Sequence, residues 1–155
     1  MIDSLYLANG ISLDRSEQHL YLSETMMDRV LRYDVDVAAG TVSGREVYQA
    51  VYTPDNLSVD ADDNLWVASP LFNQVVVVDP VCKSLHTVFS APSDKNARLA
   101  NAWIERSHLG QGLLELLGPD AWYPLPGTLT GMCWSADRKT IYILGLGNAA
   151  VKCHI

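Results

Sequence analysis

The sequence has few basic residues and no long apolar run. Its 155 residues include 11 Lys and Arg against 18 Asp and Glu, for a net charge of -7. A protein that binds nucleic acid needs a basic face, so this deficit argues against nucleic acid as a partner. No apolar run approaches the roughly 18 residues that a membrane-spanning helix needs. We therefore expect neither nucleic-acid binding nor a membrane span.

Cysteine is also scarce. The three cysteines, Cys82, Cys133 and Cys153, show no C-x-x-C spacing. The opening residues MIDSLYLANG lack the basic segment and longer apolar segment of a secretory signal. An odd number of cysteines without such a segment fits free thiols in a reducing compartment. The sequence thus predicts a cytoplasmic location.

Short strands with period-two alternation recur along the chain. Gly10–Asp14 matches Asn56–Asp60, and His19–Ser23 matches Asn64–Ala68. A third copy begins at Gly131 and ends after its third strand. Four strands per unit, at a period of about 45 residues, is typical of propeller blades. The predicted strands are 9–14, 19–24, 29–35, 45–51, 56–60, 64–68, 74–79, 85–89, 131–135, 140–144 and 149–154.

These units predict an all-β fold, a β-propeller of about three four-stranded blades in one partial domain over 1–155. The blades are placed at 9–51, 56–91 and 128–155. An unrelated β-sandwich with regularly spaced hairpins is the alternative, but the units match position by position. The unassigned segment Ser4–Leu7 is predicted to be a strand that fills the gap in the third blade, in this chain or in a partner.

Residues 93–118 interrupt the strand pattern. Leu99, Ala100, Trp103 and Ile104 have helical spacing, and leucines continue an apolar, helix-like run through 113–117. We predict a helical insertion between the second and third blades. Either its apolar face packs on the propeller or it forms a lid over a site.

Polar residues precede the innermost strand of each unit. In a propeller these positions converge on the axis, so oxygen ligands from several blades would meet at one point. Such a set suits a hard cation such as calcium, which takes six to eight oxygens. The alternative is that Asn-Gly and Asp-Asn form local turns. The aligned residues are Asn9, Asp55 and Thr130, followed by Gly10, Asn56 and Gly131.

Several stretches together resemble one family. They are Ala8-Asn-Gly-Ile-Ser-Leu-Asp14, Leu20-Tyr-Leu-Ser-Glu24, Arg29-Val-Leu-Arg-Tyr33, Pro54-Asp-Asn-Leu-Ser-Val-Asp60, Asn64-Leu-Trp-Val67, Gly127-Thr-Leu-Thr130 and Ala149–Ile155. They are similar to the C-terminal half of the paraoxonase/arylesterase, gluconolactonase (senescence-marker) and strictosidine-synthase-like superfamily of six-bladed propellers. The chain would then be half of such a propeller.

The resemblance implies a calcium site and a reaction. Asn9 and Asp55 match calcium ligands of the superfamily, Asn56 matches a further ligand of paraoxonases, and Asp55 matches a proposed acid/base. The implied activity is calcium-dependent hydrolysis of a lactone or ester, with the ion polarising the carbonyl. The family's remaining ligands come from its N-terminal half. We therefore expect a homodimer in which a second copy closes the six-bladed ring.

A substrate pocket is predicted beside these residues. The loops between second and third strands carry Met26 and Met27 in one blade and Leu71 and Phe72 in the next. With Thr130, they would bind a small apolar lactone or ester. Alternatively, the apolar loops pack beneath the insertion. A second functional hypothesis also stays open, that of a non-catalytic binding or assembly module that keeps only the scaffold.

Overall fold

The computed structural model describes residues 2–118, 128–147 and 149–155, so Gly127 of the quoted motifs lies outside the described residues. Three antiparallel sheets, each with its strands in chain order, account for all the described strands. The all-β prediction is confirmed. The strands are β1 (Ala8–Leu13), β2 (His19–Glu24), β3 (Arg29–Asp36), β4 (Thr41–Ala50), β5 (Leu57–Val59), β6 (Leu65–Ser69), β7 (Gln74–Val78), β8 (Leu85–Ser90), β9 (Leu129–Trp134), β10 (Thr140–Gly145) and β11 (Ala150–His154).

The internal repeat extends to the hairpins that join each innermost strand to the next. Asp14, Asp60 and Ser135 occupy the same place in the three sheets. The side chain of each accepts a hydrogen bond from the backbone amide that opens the following strand. Local side-chain acceptors of this kind favour turns over continued strands. The matching residues in the sequence are therefore matching turns in the structure.

Apolar side chains fill the space between neighbouring blades. Val75, Val76 and Val78 of β7 are almost fully buried because one side of the strand faces the first blade and the other faces the third. Between the second and third blades, the rings of Trp66 and Trp134 meet edge to face with centroids 4.9 Å apart. Face-to-face packing of sheets about a common axis thus holds the three blades together.

The fourth strand begins earlier than predicted and contains Gly44. The sequence predicts a fourth strand that begins at residue 45, whereas β4 begins at Thr41. Gly44 has a φ of +66° inside that strand, and the β3–β4 pairing shifts register there. A glycine at positive φ permits such an irregularity without ending the strand.

The N-terminal segment does not form the predicted strand. Ser4 and Leu7 have φ values of 56° and 59°, which break an extended conformation. The segment lies on the open face of the first blade, where Tyr6 N donates to Glu24 Oε1 at 2.8 Å. Ile2 and Leu5 pack there against buried residues of β2 and β3. Within this chain Ser4–Leu7 does not complete the third blade, because the segment lies on the first; its insertion into the third blade of a partner stays a prediction.

The third sheet is left with three strands among the described residues. A groove of about 210 Å³ lies where a fourth strand would pack. The bulged residues Tyr48 of β4 and Val88 of β8 hold equivalent positions. Tyr48 is 7% exposed, with Lys83 of the next blade over its ring, whereas Val88 is 48% exposed beside the groove.

The insertion forms one α-helix, α1 (Asp94–His108), within the segment 93–118 where a helix is predicted. Ser93 caps it, accepting a hydrogen bond from Asn96 N at 3.2 Å. The leucine run at 113–117 forms only a one-turn 3-10 helix, because the chain leaves α1 at Gly110 with positive φ. None of the described helices is long and apolar enough to cross a membrane.

Candidate metal and substrate site

Gly10 brings the innermost strand of the first blade against the second. Gly10 N donates to Asp55 O at 3.2 Å. A Cβ on Gly10 would lie 2.5 Å from Asp55 O and 2.7 Å from the Asn56 Cα, so no other residue fits without displacing that backbone. Asn9 and Gly10 belong to β1, which rules out a separate turn there. Glycine here serves a close approach of two backbones.

Asn56 joins the second blade to the third. Its Nδ2 donates to Thr130 O at 2.7 Å and to Asp55 Oδ1 at 3.1 Å, and its backbone amide also donates to Thr130 O. The positions that the repeat aligned therefore meet at one end of the innermost strands. The structure brings Asn9, Asp55, Asn56 and Thr130 together there.

Asn9 is held from the first blade. Its Nδ2 lies 3.5 Å from Thr25 Oγ1, and that hydroxyl donates to Pro54 O at 2.7 Å. The amide nitrogens of Asn9 and Asn56 thus point to protein acceptors, and neither amide oxygen receives a hydrogen bond from the described residues.

Burial raises the pKa of Asp55 from its ordinary value of 3.8 to about 6. The backbone amide of Asn56 and the side chain of Asn9 stabilise the carboxylate and oppose that rise. A carboxyl that titrates near neutral pH can exchange a proton under physiological conditions.

The donor atoms are of the type that a hard cation binds. Two amide oxygens and one carboxylate are ligands that calcium accepts. The number is smaller than the six to eight oxygens that calcium takes. Among the residues that the structure describes, no group of three or more His, Cys, Asp or Glu could hold a metal ion. Any complete shell would need further oxygens from water, substrate or another chain.

A cavity of about 110 Å³ lies beside these residues. Its polar residues are Asn9, Asp55 and four threonines, Thr25, Thr53, Thr128 and Thr130. Its apolar part comes from elsewhere in the chain: Leu7, Pro70, Leu71, Trp103, Leu117 and Leu146. A small polar patch within a mainly apolar concavity is the usual make-up of a small-molecule site.

Comparison with known proteins shows the family. The sequence profile of the SMP-30/gluconolactonase/LRE-like region matches residues 1–101. The chain belongs to this family. Human regucalcin is 32% identical over 98 residues, which cover 60% of this chain and 32% of regucalcin. Lactonase drp35 of Staphylococcus saprophyticus is 34% identical over 73 residues, covering 44% of this chain and 22% of that protein.

A strictosidine-synthase-like relative also matches. Protein STRICTOSIDINE SYNTHASE-LIKE 7 of Arabidopsis thaliana is 32% identical over 75 residues, covering 45% of this chain and 18% of that protein. The resemblance stated from the motifs is thus confirmed. The chain spans about a third of the length of regucalcin.

Solved structures of the SMP-30/gluconolactonase fold confirm the propeller prediction. A gluconolactonase from Xanthomonas campestris superimposes with a TM-score of 0.64 at 19% identity, covering 97% of this chain and 38% of that one. A luciferin-regenerating enzyme gives a TM-score of 0.63 at 15% identity, covering 91% and 38%. At such identities the likeness establishes the fold, and function must come from the site.

Within this SMP-30-like site, the predicted pocket residues divide. Leu71 and Thr130 line the cavity. Met26 and Phe72 pack instead with α1 in an apolar cluster, as the alternative interpretation expected. Met27 belongs neither to this cluster nor to the cavity lining and is 44% exposed. Their role in substrate binding stays a prediction.

The sequence analysis did not predict most of the residues that line the cavity, and three of them are apolar residues that lie after the second blade. Trp103 and Leu117 lie in the insertion, and Leu146 follows β10. Trp103 stood out only as one apolar residue of a helix, since a helical period does not show which part of the propeller the helix covers. No signal in the sequence places Leu146 near Asp55.

Proposed function

We propose that this chain is half of a calcium-dependent lactone or ester hydrolase that acts on a small apolar substrate, with a second copy completing the ring. The observation that carries the proposal is the meeting of Asn9, Asp55 and Asn56 beside a cavity with an apolar side. Family membership and the named lactonase relative support hydrolysis as the reaction class.

Each residue has a distinct task in this proposal. Asn9, Asp55 and Asn56 would bind calcium through their side-chain oxygens. Bound calcium would supply Lewis-acid polarisation of the substrate carbonyl. The Asp55 carboxylate would take a proton from the attacking water. The apolar wall would exclude bulk water from the carbonyl.

Two open blade faces support the second copy. On the first blade, Ile11 and Val47 remain 59% and 55% exposed beside the N-terminal segment. On the third blade, Tyr142 and Leu144 are 38% and 46% exposed on the face turned away from the second blade. Two copies related by a twofold axis would place each first blade against the partner's third. Six blades would then surround one axis with two sets of ligands.

Solution mass tests this association. Sedimentation or light scattering should give twice the chain mass, and a charge placed in the open face, Leu144→Glu, should return the mass of one folded chain. Leu114→Glu, an exposed leucine of the insertion, is the matched control and should leave the dimer intact. If the wild type has the mass of one chain over a wide concentration range, the proposed homodimer is contradicted.

Calcium titration followed by thermal melting tests the metal site. Ligand binding to the native state raises the melting midpoint. Asp55→Ala should abolish that rise, whereas Asp62→Ala, in an exposed turn, should keep it. Lactones and aryl esters should then be hydrolysed by wild type with calcium and not with chelator. A midpoint indifferent to calcium would overturn the metal site.

A non-catalytic binding or assembly module is the second candidate. The observation that favours it is the small donor set, because the described residues bring only three candidate side chains together, two amides and one carboxylate. A stable dimer with neither a calcium-dependent midpoint nor hydrolysis would select this candidate. Either function is proposed for the cytoplasm, and the free thiols of Cys82, Cys133 and Cys153 support a reducing compartment.

A further inference from the structure

The two sides of the axial cavity come from different parts of the chain. The propeller supplies the polar side, with Asn9, Asp55 and Thr130. The insertion supplies much of the apolar side, through Trp103 of α1 and Leu117 after the 3-10 turn. The propeller thus carries the polar residues of the cavity, and the insertion limits the shape of its apolar side.

The insertion is fixed in place over the blades. Trp103 is 1% exposed and packs in one cluster with Leu71, Ala100 and Leu113. The N-terminus of α1 is held by the mutual contacts of Ser93 and Asn96. An indole anchored in this way is a rigid wall, since close-packed interiors accommodate added volume only at a cost in strain.

Two of the four threonines that line the cavity are already bonded to backbone groups. Thr25 Oγ1 donates to Pro54 O, and Thr53 Oγ1 accepts from Leu71 N. A polyhydroxylated lactone would leave its hydroxyls without partners on the apolar wall, at a large cost in affinity.

The volume sets the size of ligand that fits. The cavity holds about 110 Å³, somewhat less than the roughly 150 Å³ of an apolar cavity that binds benzene. A five- or six-membered ring fills such a space. A longer alkyl substituent directed at the insertion would collide with the indole.

Resting on the proposed lactone hydrolysis, we propose that Trp103 and Leu117 are specificity-determining residues. They limit this site to unsubstituted or short-chain five- and six-membered lactones. They disfavour both long-chain lactones and sugar lactones. Neither residue takes part in the chemical step.

A chain-length series with matched variants tests the assignment. γ-Butyrolactone, γ-hexalactone, γ-decalactone and D-glucono-δ-lactone are compared for kcat/KM. Leu117→Ala should raise the preference for γ-decalactone over γ-butyrolactone about tenfold, the scale of a few methylenes in an apolar pocket. Trp103→Ala should raise it further, and Trp103→Phe should raise it little. Leu114→Ala, in the same turn but 61% exposed, should leave it unchanged.

Binding of ketones separates this inference from the proposed function. Cyclopentanone and its 2-alkyl derivatives match the ring sizes but cannot be hydrolysed, and ligand-observed NMR reports their affinity. If wild type hydrolyses no lactone, the proposed function fails. The size limit is then still judged by whether Leu117→Ala improves binding of 2-hexylcyclopentanone relative to cyclopentanone.

Three results would overturn the inference. One is an unchanged chain-length preference in Leu117→Ala, with thermal melting confirming that the variant is folded. The second is a wild-type preference for D-glucono-δ-lactone over γ-butyrolactone. The third is no detectable binding of either ketone by wild type. Because Leu117 is 39% exposed, its truncation tests the assignment even if Trp103→Ala does not fold.

Discussion

Asp28 and Asn73 occupy the same place in successive blades, and each reaches across to the next blade. Both precede a third strand and have left-handed backbones, with φ of 51° and 50°. Asp28 Oδ1 accepts from Thr53 N at 2.7 Å, and Asn73 Oδ1 accepts from Leu129 N at 3.0 Å. The two side chains therefore fix how each blade begins relative to the one before it.

Asn73→Ala should destabilise the fold strongly. The change leaves Leu129 N and Ala91 O without their side-chain partner and places alanine at positive φ. Unsatisfied buried groups and backbone strain predict a loss of about 2–4 kcal/mol in the free energy of unfolding, measured with urea. Asn101→Ala, on the exposed side of α1, should change it by less than about 0.5 kcal/mol. Equal stabilities would refute the bridging role.

Gly10→Ala should damage the proposed calcium site and the fold together. The added methyl meets the Asp55 and Asn56 backbone at 2.5–2.7 Å, so the two inner strands must separate. We expect a loss of about 1–3 kcal/mol, by urea unfolding, and weaker calcium binding. Gly112→Ala is the control, because its Cβ meets nothing within 4 Å. A Gly10→Ala variant that keeps wild-type stability and calcium affinity would contradict the close approach.

Arg29→Ala should remove the closer of the two ion pairs of a buried carboxylate and leave Arg45 Nη2, 3.7 Å from Glu24 Oε2, as the remaining cation. Glu24 is fully buried, and Arg29 Nε lies 2.7 Å from its Oε2. A buried charge left with no partner costs about 3–5 kcal/mol, and because Arg45 remains we expect a smaller loss of about 1–3 kcal/mol. Arg32→Ala, on the same strand, breaks a pair with the half-exposed Glu46 and should cost less than about 1 kcal/mol. The comparison is made by urea unfolding, and similar losses in the two variants would show that burial of Glu24 does not matter.

The raised pKa of Asp55 predicts a pH-dependent stability in chelator. The folded state holds the proton more tightly than the unfolded state, whose pKa is near 3.8, against about 6 when folded. The stabilisation from protonated Asp55 is full below about pH 4 and is lost as pH rises through 6.

Asp55→Asn should isolate that contribution. At pH 7.5 the variant should be more stable than wild type by about 1–2 kcal/mol, a figure that allows for solvent screening. The gap should close below about pH 4.5. Subtracting the two urea-unfolding profiles cancels the groups common to both, including Asp28, whose pKa burial also raises. A constant gap across pH would show that Asp55 does not titrate in this range.

Strand positions were predictable because each strand carries its own signal. Gln74–Val78 and His19–Glu24 show period-two or continuous apolar patterns between turn residues, and the structure has both strands close to the predicted bounds. The prediction failed at Ser4–Leu7, whose apolar alternation looks like a strand. Its conformation depends on Glu24 and on the open face of the first blade, which no local pattern reveals.

The aligned positions of the candidate site also followed from the repeat. Asn9, Asp55 and Thr130 were equivalent in sequence, and equivalent loops of a propeller must meet at the axis. The side of the cavity that α1 forms was not predictable in the same way. Trp103 is separated from Asp55 by nearly fifty residues and belongs to a segment outside the repeat.

The sequence by itself determined the strand units, their repetition and the polar residues that the repeat aligns, since each depends on short-range patterning and on equivalence between copies. The tertiary structure alone decided the rest. It decided that Gly10 allows two backbones to touch, that Asp55 is buried enough for its pKa to rise, and that α1 closes the cavity with Trp103. Contact distance, burial and shape arise only when distant segments pack together.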